Sequence, residues 1–464
     1  MGRVDKRLEI GPVAFLVAAL MFMEFLDGSI IPTAAPAIAH SFHILSSQVG
    51  ISVTVYMVTI VVCIPLSAWL ADKFGVRLIL FISIAVFTAA SLFCALSTNL
   101  VELTTMRVLQ GLGAASMVPV GRLILMRSVD RSEVIRVISY SVWPALAAPV
   151  VAPVLGGFLV SHASWHWIFL VNIPIGLIAF IVGVRIVPHI NQEETKNLDW
   201  FGLAGVGVSL GMLVFAAANL GAPHINIALP IFLSLVGVLV GIPTLRHLKR
   251  DPEALIDLSV LQIQTFKLNS VSGLLFRLAQ NTAPFVLPLL FQERFGWSAE
   301  RAGGVLFFYM AGNLGFKAFT TPLMERFRFK PLILVSTLLS IPLTLTLGLL
   351  TPSIPFIAIA ILLLITGGVR SIGMTLYNTI TFADTDQERI SHANTIANMV
   401  QQLSSAAAVA TAVIAIGIGR SLAGTRDQYL WSFSLAILAL LLSLPSVLSL
   451  PPLAGQALRK KAYS

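Results

Sequence analysis

The sequence predicts an all-α integral membrane protein built from two six-helix bundles, with two further helices inserted between them. The chain of 464 residues is 57% hydrophobic and only 11% charged, and its mean hydropathy is +0.90. Fourteen apolar segments are long enough to cross a bilayer, and a short motif recurs in both halves. A soluble protein of this length would need far more charge to cover its surface.

The spans follow from length, because a helix needs about 20 mostly apolar residues to cross a hydrocarbon core about 30 Å thick. The first apolar run is too long for a signal peptide, and no small-residue cleavage site follows it, so we interpret it as the first span. The predicted spans are 11–36, 48–71, 78–97, 102–126, 134–160, 166–187, 200–219, 227–245, 268–291, 302–322, 331–350, 354–378, 392–419 and 429–450.

The basic residues predict the orientation. If the N-terminus is cytoplasmic, 21 of the 30 Lys and Arg residues fall on the cytoplasmic side, with Arg136 and Arg185 counted there as span ends, four on the outer side and five deeper within spans. This bias is the positive-inside pattern, and it predicts that both termini are cytoplasmic. It also accounts for the net charge of +9 without nucleic-acid binding. The two cysteines, Cys63 and Cys94, lie in apolar runs, so no disulfide is expected.

An internal repeat divides the chain. The loop Leu70-Ala71-Asp72-Lys73-Phe74-Gly75-Val76-Arg77 shares leucine, acid, base, phenylalanine and base with Leu323-Met324-Glu325-Arg326-Phe327-Arg328-Phe329-Lys330 at identical spacing. Repeated halves of this kind are typical of transporters, in which they rock about a central site. We therefore predict a first bundle at 1–190, two inserted helices with linkers at 191–264, and a second bundle with a short cytoplasmic tail at 265–464.

Several motifs resemble those of the major facilitator superfamily. The loop from Ala68 to Leu80 resembles its motif between helices 2 and 3, with Asp72, Gly75 and Arg77 at matching positions. The helix-4 motif is similar to the segment Arg107-Val108-Leu109-Gln110-Gly111-Leu112-Gly113-Ala114. The helix-5 antiporter motif resembles Ala152-Pro153-Val154-Leu155-Gly156-Gly157, with Ala152 in place of glycine.

Two further segments resemble the fourteen-helix drug:proton antiporter branch, and within it the MdtD-like multidrug transporters of bacteria. One is Leu26-Asp27-Gly28-Ser29 with Ala35-Pro36, and the other runs from Ser164 to Gly176 and reads SWHWIFLVNIPIG. The resemblance implies a major facilitator fold, a bacterial inner-membrane location, a small-molecule substrate and a proton gradient as energy source. We expect a monomer.

Charged residues within spans point to the coupling machinery, since burying a charge in a bilayer is costly. Glu24 and Asp27 are three residues apart on the first span and share a face. Repulsion between two carboxylates and their desolvation both favour a bound proton, so the pair can carry one. Arg107 lies at a matching depth and is predicted to pair with Asp27. The alternative is that Arg107 only neutralises a carboxylate and holds two spans together.

Other residues are assigned by position. At the cytoplasmic edge, Asp72, Gly75, Arg77, Glu325 and Arg326 are interpreted either as a gate latch or as solvated turns that set the topology. In the fifth span, the cluster of Pro149, Pro153, Gly156 and Gly157 predicts a hinge and a packing seam against the other half.

A predicted substrate cavity completes the set of candidate residues. Polar residues within spans are expected to line it, namely Gln110, Arg277, Gln280, Asn281 and Arg370. Lys317 is expected to extend to the membrane surface instead. Five bases against two acids within the spans are compatible with an anionic substrate.

Other function classes find little support in the sequence. No phosphate-binding loop, metal-ligand spacing or nucleophile–base pair occurs, so neither an enzyme, a cofactor nor a metal site is expected. The leading hypothesis is proton-coupled export of drugs or metabolites. Proton-symport uptake, export of one anionic metabolite or siderophore, and a non-transporting sensor or scaffold remain alternatives.

Overall fold

The computed structural model of the chain is helical throughout the part that it describes. The described residues are 10–128, 134–187, 198–220, 228–251, 256, 258–385, 389–423, 428–452 and 454. The first half comprises α1 (Ile10–Phe42), α2 (Gly50–Phe74), α3 (Val76–Leu96), α4 (Leu100–Ser128), α5 (Val134–His162), α6 (Trp167–Leu170) and α7 (Asn172–Ile186).

Two helices, α8 (Trp200–Leu220) and α9 (Ala228–Arg250), follow and pack against each other. The second half comprises α10 (Gln264–Leu289), α11 (Ala299–Gly315), α12 (Lys317–Arg326), α13 (Phe329–Gly348), α14 (Phe356–Ile380), α15 (Ile390–Ala423) and α16 (Gln428–Leu448). Short 3-10 turns lie at Ser46–Val49 and Leu258–Gln262, and a π-helical turn at Leu290–Arg294 ends α10.

Thirteen helices in the described part are long and apolar enough to span a bilayer, whereas fourteen spans were expected. The difference is the predicted span 302–322, which the structure divides into α11 and α12 at Phe316. Gly312 and Gly315 weaken the helix just before this break, and Pro322 removes a helical hydrogen bond after it. The prediction of one continuous helix there was wrong.

Glycine also allows α11 to cross α14 at backbone contact. A Cβ at Gly312 would stand 2.1 Å from the Leu364 carbonyl oxygen, and one at Gly367 would stand 1.9 Å from that of Tyr309. No side chain fits in either gap, so two glycines on facing helices fix this crossing. The crossing positions the residues that follow Gly312 and Gly367 on the same two helices.

Among the described residues, the two halves share a buried apolar core at only one end of the molecule. The largest buried apolar cluster joins α1 and α5 to α10 and α11, with members such as Ile30, Ala152, Phe285 and Leu306. Towards the other end, where α1 begins and α2 ends, each half has an apolar cluster of its own. We call the first the closed end and the second the open end.

The repeated motif forms equivalent helix junctions. Asp72 to Arg77 spans the end of α2 and the start of α3, and Glu325 to Lys330 spans the end of α12 and the start of α13. Gly75 has a φ of 92°, a conformation that favours glycine, whereas Arg328 at the equivalent position has a φ of −75°. The second junction therefore needs no glycine, which explains why the repeat loses it.

The last base of each repeat holds the end of a distant helix. Arg77 Nη2 donates to the carbonyl oxygen of Val184 at 2.6 Å, near the end of α7. Lys330 Nζ donates to the carbonyl oxygens of Leu448 and Leu450 at 2.6 and 2.9 Å, at the end of α16. A cation at a helix C-terminus satisfies open carbonyls and opposes the helix dipole. Each half thus contains its own copy of this contact, as it does of the motif.

Replacing Lys330 with methionine should therefore lower the stability of the purified protein by about 1 kcal/mol, because the carbonyls at the end of α16 lose their donor. The midpoint of thermal unfolding in detergent measures the change. Arg328→Met is the matched control, since Arg328 is an exposed base two residues away. Equal midpoints for the two variants would contradict the assigned contact.

Candidate central cavity and buried ion pair

A cavity of about 310 Å³ lies between the halves. Its walls come from α1, α2 and α5 on one side and from α10, α11, α12, α14 and α15 on the other. Lining residues towards the closed end are almost fully buried, with Thr33 and Val53 each 1% exposed, whereas Asn378 and Gln401 are exposed. The cavity therefore opens towards the open end.

The closed end is sealed by backbone contact between α5 and α11. A Cβ at Gly157 would stand 2.4 Å from the Ala299 carbonyl oxygen, and one at Gly303 would stand 2.1 Å from that of Pro153. The backbone N–H of Glu300 donates to Ser161 Oγ at 3.2 Å, and Gln292 Nε2 donates to the Thr33 carbonyl oxygen at 2.9 Å. Hydrogen bonds and glycine contacts together join the halves here.

A buried network surrounds Asp27 within the first half. Arg107 Nη1 lies 2.5 Å from Asp27 Oδ2, and both side chains are 0% exposed. Gln110 and Asn172 donate to Asp27 Oδ1 at 2.8 and 2.9 Å, and Gln110 also donates to Ser91 at 2.8 Å. One carboxylate thus ties α1 to α4 and α7, and three donors stabilise its charge. The predicted contact between Asp27 and Arg107 is confirmed.

Tyr56 separates this network from the cavity. Its ring lies 3.8 Å from Arg107 Cζ in a cation–π contact, and the same side chain lines the cavity. Glu24 also lines the cavity, although neither Asp27 nor Arg107 does. The two carboxylates of α1 therefore lie in different surroundings. Glu24 lies at the cavity wall, and Asp27 is buried behind it. Arg122 lies close enough to Glu24 to attract it electrostatically.

The second half contributes a basic wall, which we define as Arg277, Lys317 and Arg370. All three line the cavity. Arg277 Nη2 donates to Asn378 Oδ1 at 2.7 Å, and Arg370 Nη2 donates to Asn281 Oδ1 at 2.9 Å. Both arginines are thus held by neutral amides on neighbouring helices.

Comparisons with known proteins agree with this architecture. The model of the Major Facilitator Superfamily matches residues 17–409. The chain belongs to the major facilitator superfamily. This membership makes it a secondary transporter rather than an enzyme, and it implies a small-molecule substrate and a multi-pass position in a membrane.

Relatives of this major facilitator protein include the "Putative multidrug resistance protein MdtD" of Citrobacter koseri, which is 35% identical over 87% of this chain and 86% of the relative. The protein of the same name from Escherichia coli is 33% identical over 93% of this chain and 92% of its own length. These relatives confirm the expected likeness to MdtD-like proteins.

Solved structures share the fold at low identity. A D-xylose-proton symporter superposes with a TM-score of 0.70 at 14% identity, covering 96% of this chain and 99% of its own. An inward-facing bacterial homologue of the lysosomal transporter Spinster superposes with a TM-score of 0.63 at 14% identity, covering 98% of both chains. At these identities the likeness concerns the fold alone.

Some of the predicted cavity residues of this major facilitator protein lie elsewhere. Gln280 is 4% exposed and donates to Ser340 on α13 at 2.7 Å, because it lies about 100° around the helix from Asn281. Gln110 belongs to the Asp27 network and is 0% exposed. Neither lines the cavity, so both assignments were wrong, whereas Arg277, Asn281 and Arg370 do line it. Lys317 also lines the cavity, contrary to the expectation that it extends to the membrane surface.

The helix-5 cluster lies partly where it was predicted. Pro149 and Pro153 line the cavity, and Gly157 contacts α11 of the other half. Gly156 faces α1 of its own half instead, since its Cβ would stand 2.8 Å from Ile30 Cγ1. The hinge remains a prediction, as does the gate-latch role of Asp72, Arg77, Glu325 and Arg326.

Sequence reasoning did not single out Asn172, Ser91 or Tyr56 as parts of the site. Asn172 could have been found from the sequence, because an amide within a span needs a hydrogen-bond partner, just as a charge does. Ser91 and Tyr56 offered none, since isolated hydroxyl groups are common in membrane helices and commonly bond to their own backbone.

Proposed function

We propose that the protein exports small organic compounds in exchange for protons by alternating access between its two halves. The observation that carries this proposal is the sealed Asp27–Arg107 pair beside a cavity that is closed at one end. An ion pair buried in a membrane helix bundle is costly to maintain for structure alone. A transporter that binds and releases a proton gives the pair a use.

The coupling step follows from the donors around Asp27. In the ionised state the carboxylate accepts hydrogen bonds from Arg107, Gln110 and Asn172. A proton on Asp27 removes the charge that holds Arg107, so the attachment of α4 to α1 weakens. Arg107 also stacks on Tyr56, which lines the cavity, so its movement reaches the substrate site directly.

The proposed orientation places the open end in the cytoplasm. The distribution of basic residues puts both termini there, and α1 begins at the open end. The conformation is then inward-facing, which is the state in which an exporter takes up cargo. We place the protein in the bacterial inner membrane as a monomer that uses the proton gradient without a cofactor, with the halves and the inserted helices as its three structural units.

Uptake by proton symport is the competing function. The direction in which protons move relative to the substrate distinguishes symport from export. In everted vesicles energised by respiration, the cytoplasmic face is outside and the lumen is acidic. A compound that an antiporter exports should release lumenal protons when it is added, and an uptake symporter should not cause this release. The compound to add is one depleted from the spent medium of a deletion strain relative to its parent.

Proton release on addition is the expected result, with vesicles from the deletion strain as the control. A depleted compound that enters the vesicles without proton release would overturn proton coupling. A sensor or scaffold would produce neither depletion nor transport.

A further inference from the structure

The charges that line the cavity are unequally divided between the halves. Among the lining residues that the structure describes, the first half contributes one carboxylate, Glu24, and no base. The second half contributes the basic wall of Arg277, Lys317 and Arg370 and no acid. The cavity therefore has an anionic side and a larger cationic side.

In the part of the chain that the structure describes, the basic wall has no counterions. None of its three cations has a carboxylate within 4 Å among the described residues. The Nε atoms of Arg277 and Arg370 are buried and have no hydrogen-bond partner there, and Arg277 is only 4% exposed. A cation without a counterion is costly inside a membrane protein, so three on one wall, with Arg277 buried and Lys317 and Arg370 half-buried, favour an anion from outside the chain.

Neutral donors lie beside the same wall. Asn313 and Ser371 line the cavity, and Ser371 Oγ is buried without a partner in the described part of the chain. An arginine with a hydroxyl or amide group beside it is the usual set of donors for an oxyanion such as a carboxylate or phosphate. The hydrogen bonds to Asn281 and Asn378 hold the two guanidinium groups in place before a ligand arrives.

The remaining lining is largely apolar. Phe25 and Met57 lie on the first half, and Phe285 and Met310 on the second. Apolar and aromatic walls with a few oriented polar groups are typical of pockets for small organic ligands. An inorganic anion would leave these side chains without contact, whereas a ligand with an apolar body would cover them.

We infer that the cargo is an amphipathic organic anion, bound with its oxyanion against the basic wall of the second half and its apolar body against the first. This inference rests on the proposed transport function and names its substrate class. Glu24 fixes the orientation, because its carboxylate repels an oxyanion placed on the first half. The arrangement disfavours the lipophilic cations that a multidrug exporter would carry.

A matched pair of probes tests the charge preference. We choose 2-naphthoate and 2-naphthylmethylammonium, which share one apolar body and differ in the sign of their charge. Binding to the full chain in lipid nanodiscs is measured by calorimetry. Naphthoate should bind at least about tenfold more tightly than the ammonium compound, since one charge-assisted pair accounts for about that factor.

Variants of the wall identify the site. Arg370→Gln and Arg277→Gln should each weaken naphthoate binding by about tenfold, and Arg370→Lys should retain part of it. Arg328→Gln is the control, because Arg328 is an exposed base of the second half that does not line the cavity. Size-exclusion profiles show which variants fold, and Arg277→Gln and Arg370→Gln serve as independent tests.

Each outcome has one meaning for the charge preference. Equal or tighter binding of the ammonium compound, or unchanged naphthoate affinity in both glutamine variants, overturns the proposed substrate class. If the ammonium compound then drives proton release from everted vesicles, the proposed export function still holds, but for a cationic rather than an anionic substrate. If naphthoate binds as expected and drives no proton release, the anion site stands and the coupling fails.

Discussion

Asp27→Asn is expected to abolish proton-coupled transport while substrate exchange across the membrane continues. Asparagine has nearly the same shape but cannot take up a proton, so the step that releases Arg107 is lost. One carboxylate oxygen also becomes an amide donor, and it must then face either Arg107 or the pair of donors Gln110 and Asn172. Substrate-driven proton flux in proteoliposomes should fall to that of protein-free liposomes, whereas counterflow of labelled substrate should persist.

The control for this prediction addresses folding. Removing one partner of a buried ion pair costs about 3–5 kcal/mol, because the other charge is left unpaired. The double variant Asp27→Asn/Arg107→Gln removes both charges and should recover much of that loss without recovering proton flux. Wild-type proton flux in the folded single variant would show that Asp27 has only a structural role.

Gly303→Ala is expected to shift the protein away from the conformation described above. The new methyl carbon would stand 2.1 Å from the Pro153 carbonyl oxygen, and two helix backbones must separate to admit it. Overpacking of this kind costs about 1–3 kcal/mol, enough to reduce the population of the closed arrangement by about tenfold. Gly304→Ala is the matched control, since its methyl carbon would meet nothing within 4 Å.

Accessibility of the cavity measures this shift. Gln401 is exposed at the open end, and Gln401→Cys introduces a reactive thiol there, while the natural cysteines are both buried. In everted vesicles a membrane-impermeant maleimide should label this cysteine more slowly when Gly303→Ala is present and at the unchanged rate when Gly304→Ala is present. Equal rates for the two backgrounds would show that the contact of α5 with α11 does not set the conformation.

The helices and the contact between Asp27 and Arg107 could be predicted from the sequence, because both depend on the cost of transferring polar groups into lipid. Apolar length located the spans, and the cost of charge singled out Asp27 and Arg107. Hydropathy does not report which way a side chain points around a helix. For this reason Gln280 and Gln110 were assigned to the cavity and Lys317 was assigned to the membrane surface.

The break at Phe316 shows a second limit. Gly312 is visible in the sequence, but its consequence depends on the carbonyl group of Leu364 on another helix. Tight crossings of backbones are properties of pairs of helices, and a single sequence does not show which glycines face each other. The position of Lys317 on the cavity wall, just after this crossing, therefore could not be predicted from the sequence.

The inserted pair of helices constrains any rocking of the halves. α8 contacts α2 of the first half and also α15 of the second, so it cannot follow both when they move apart. One of its two interfaces has to slide. On the side facing α2, a methyl group at Gly207 would meet only Val62 Cγ1, at 3.4 Å, and one at Gly211 would meet nothing within 4 Å. A loosely packed glycine surface of this kind leaves room for α8 to slide along α2, and we expect bulky side chains at these two glycines to slow turnover.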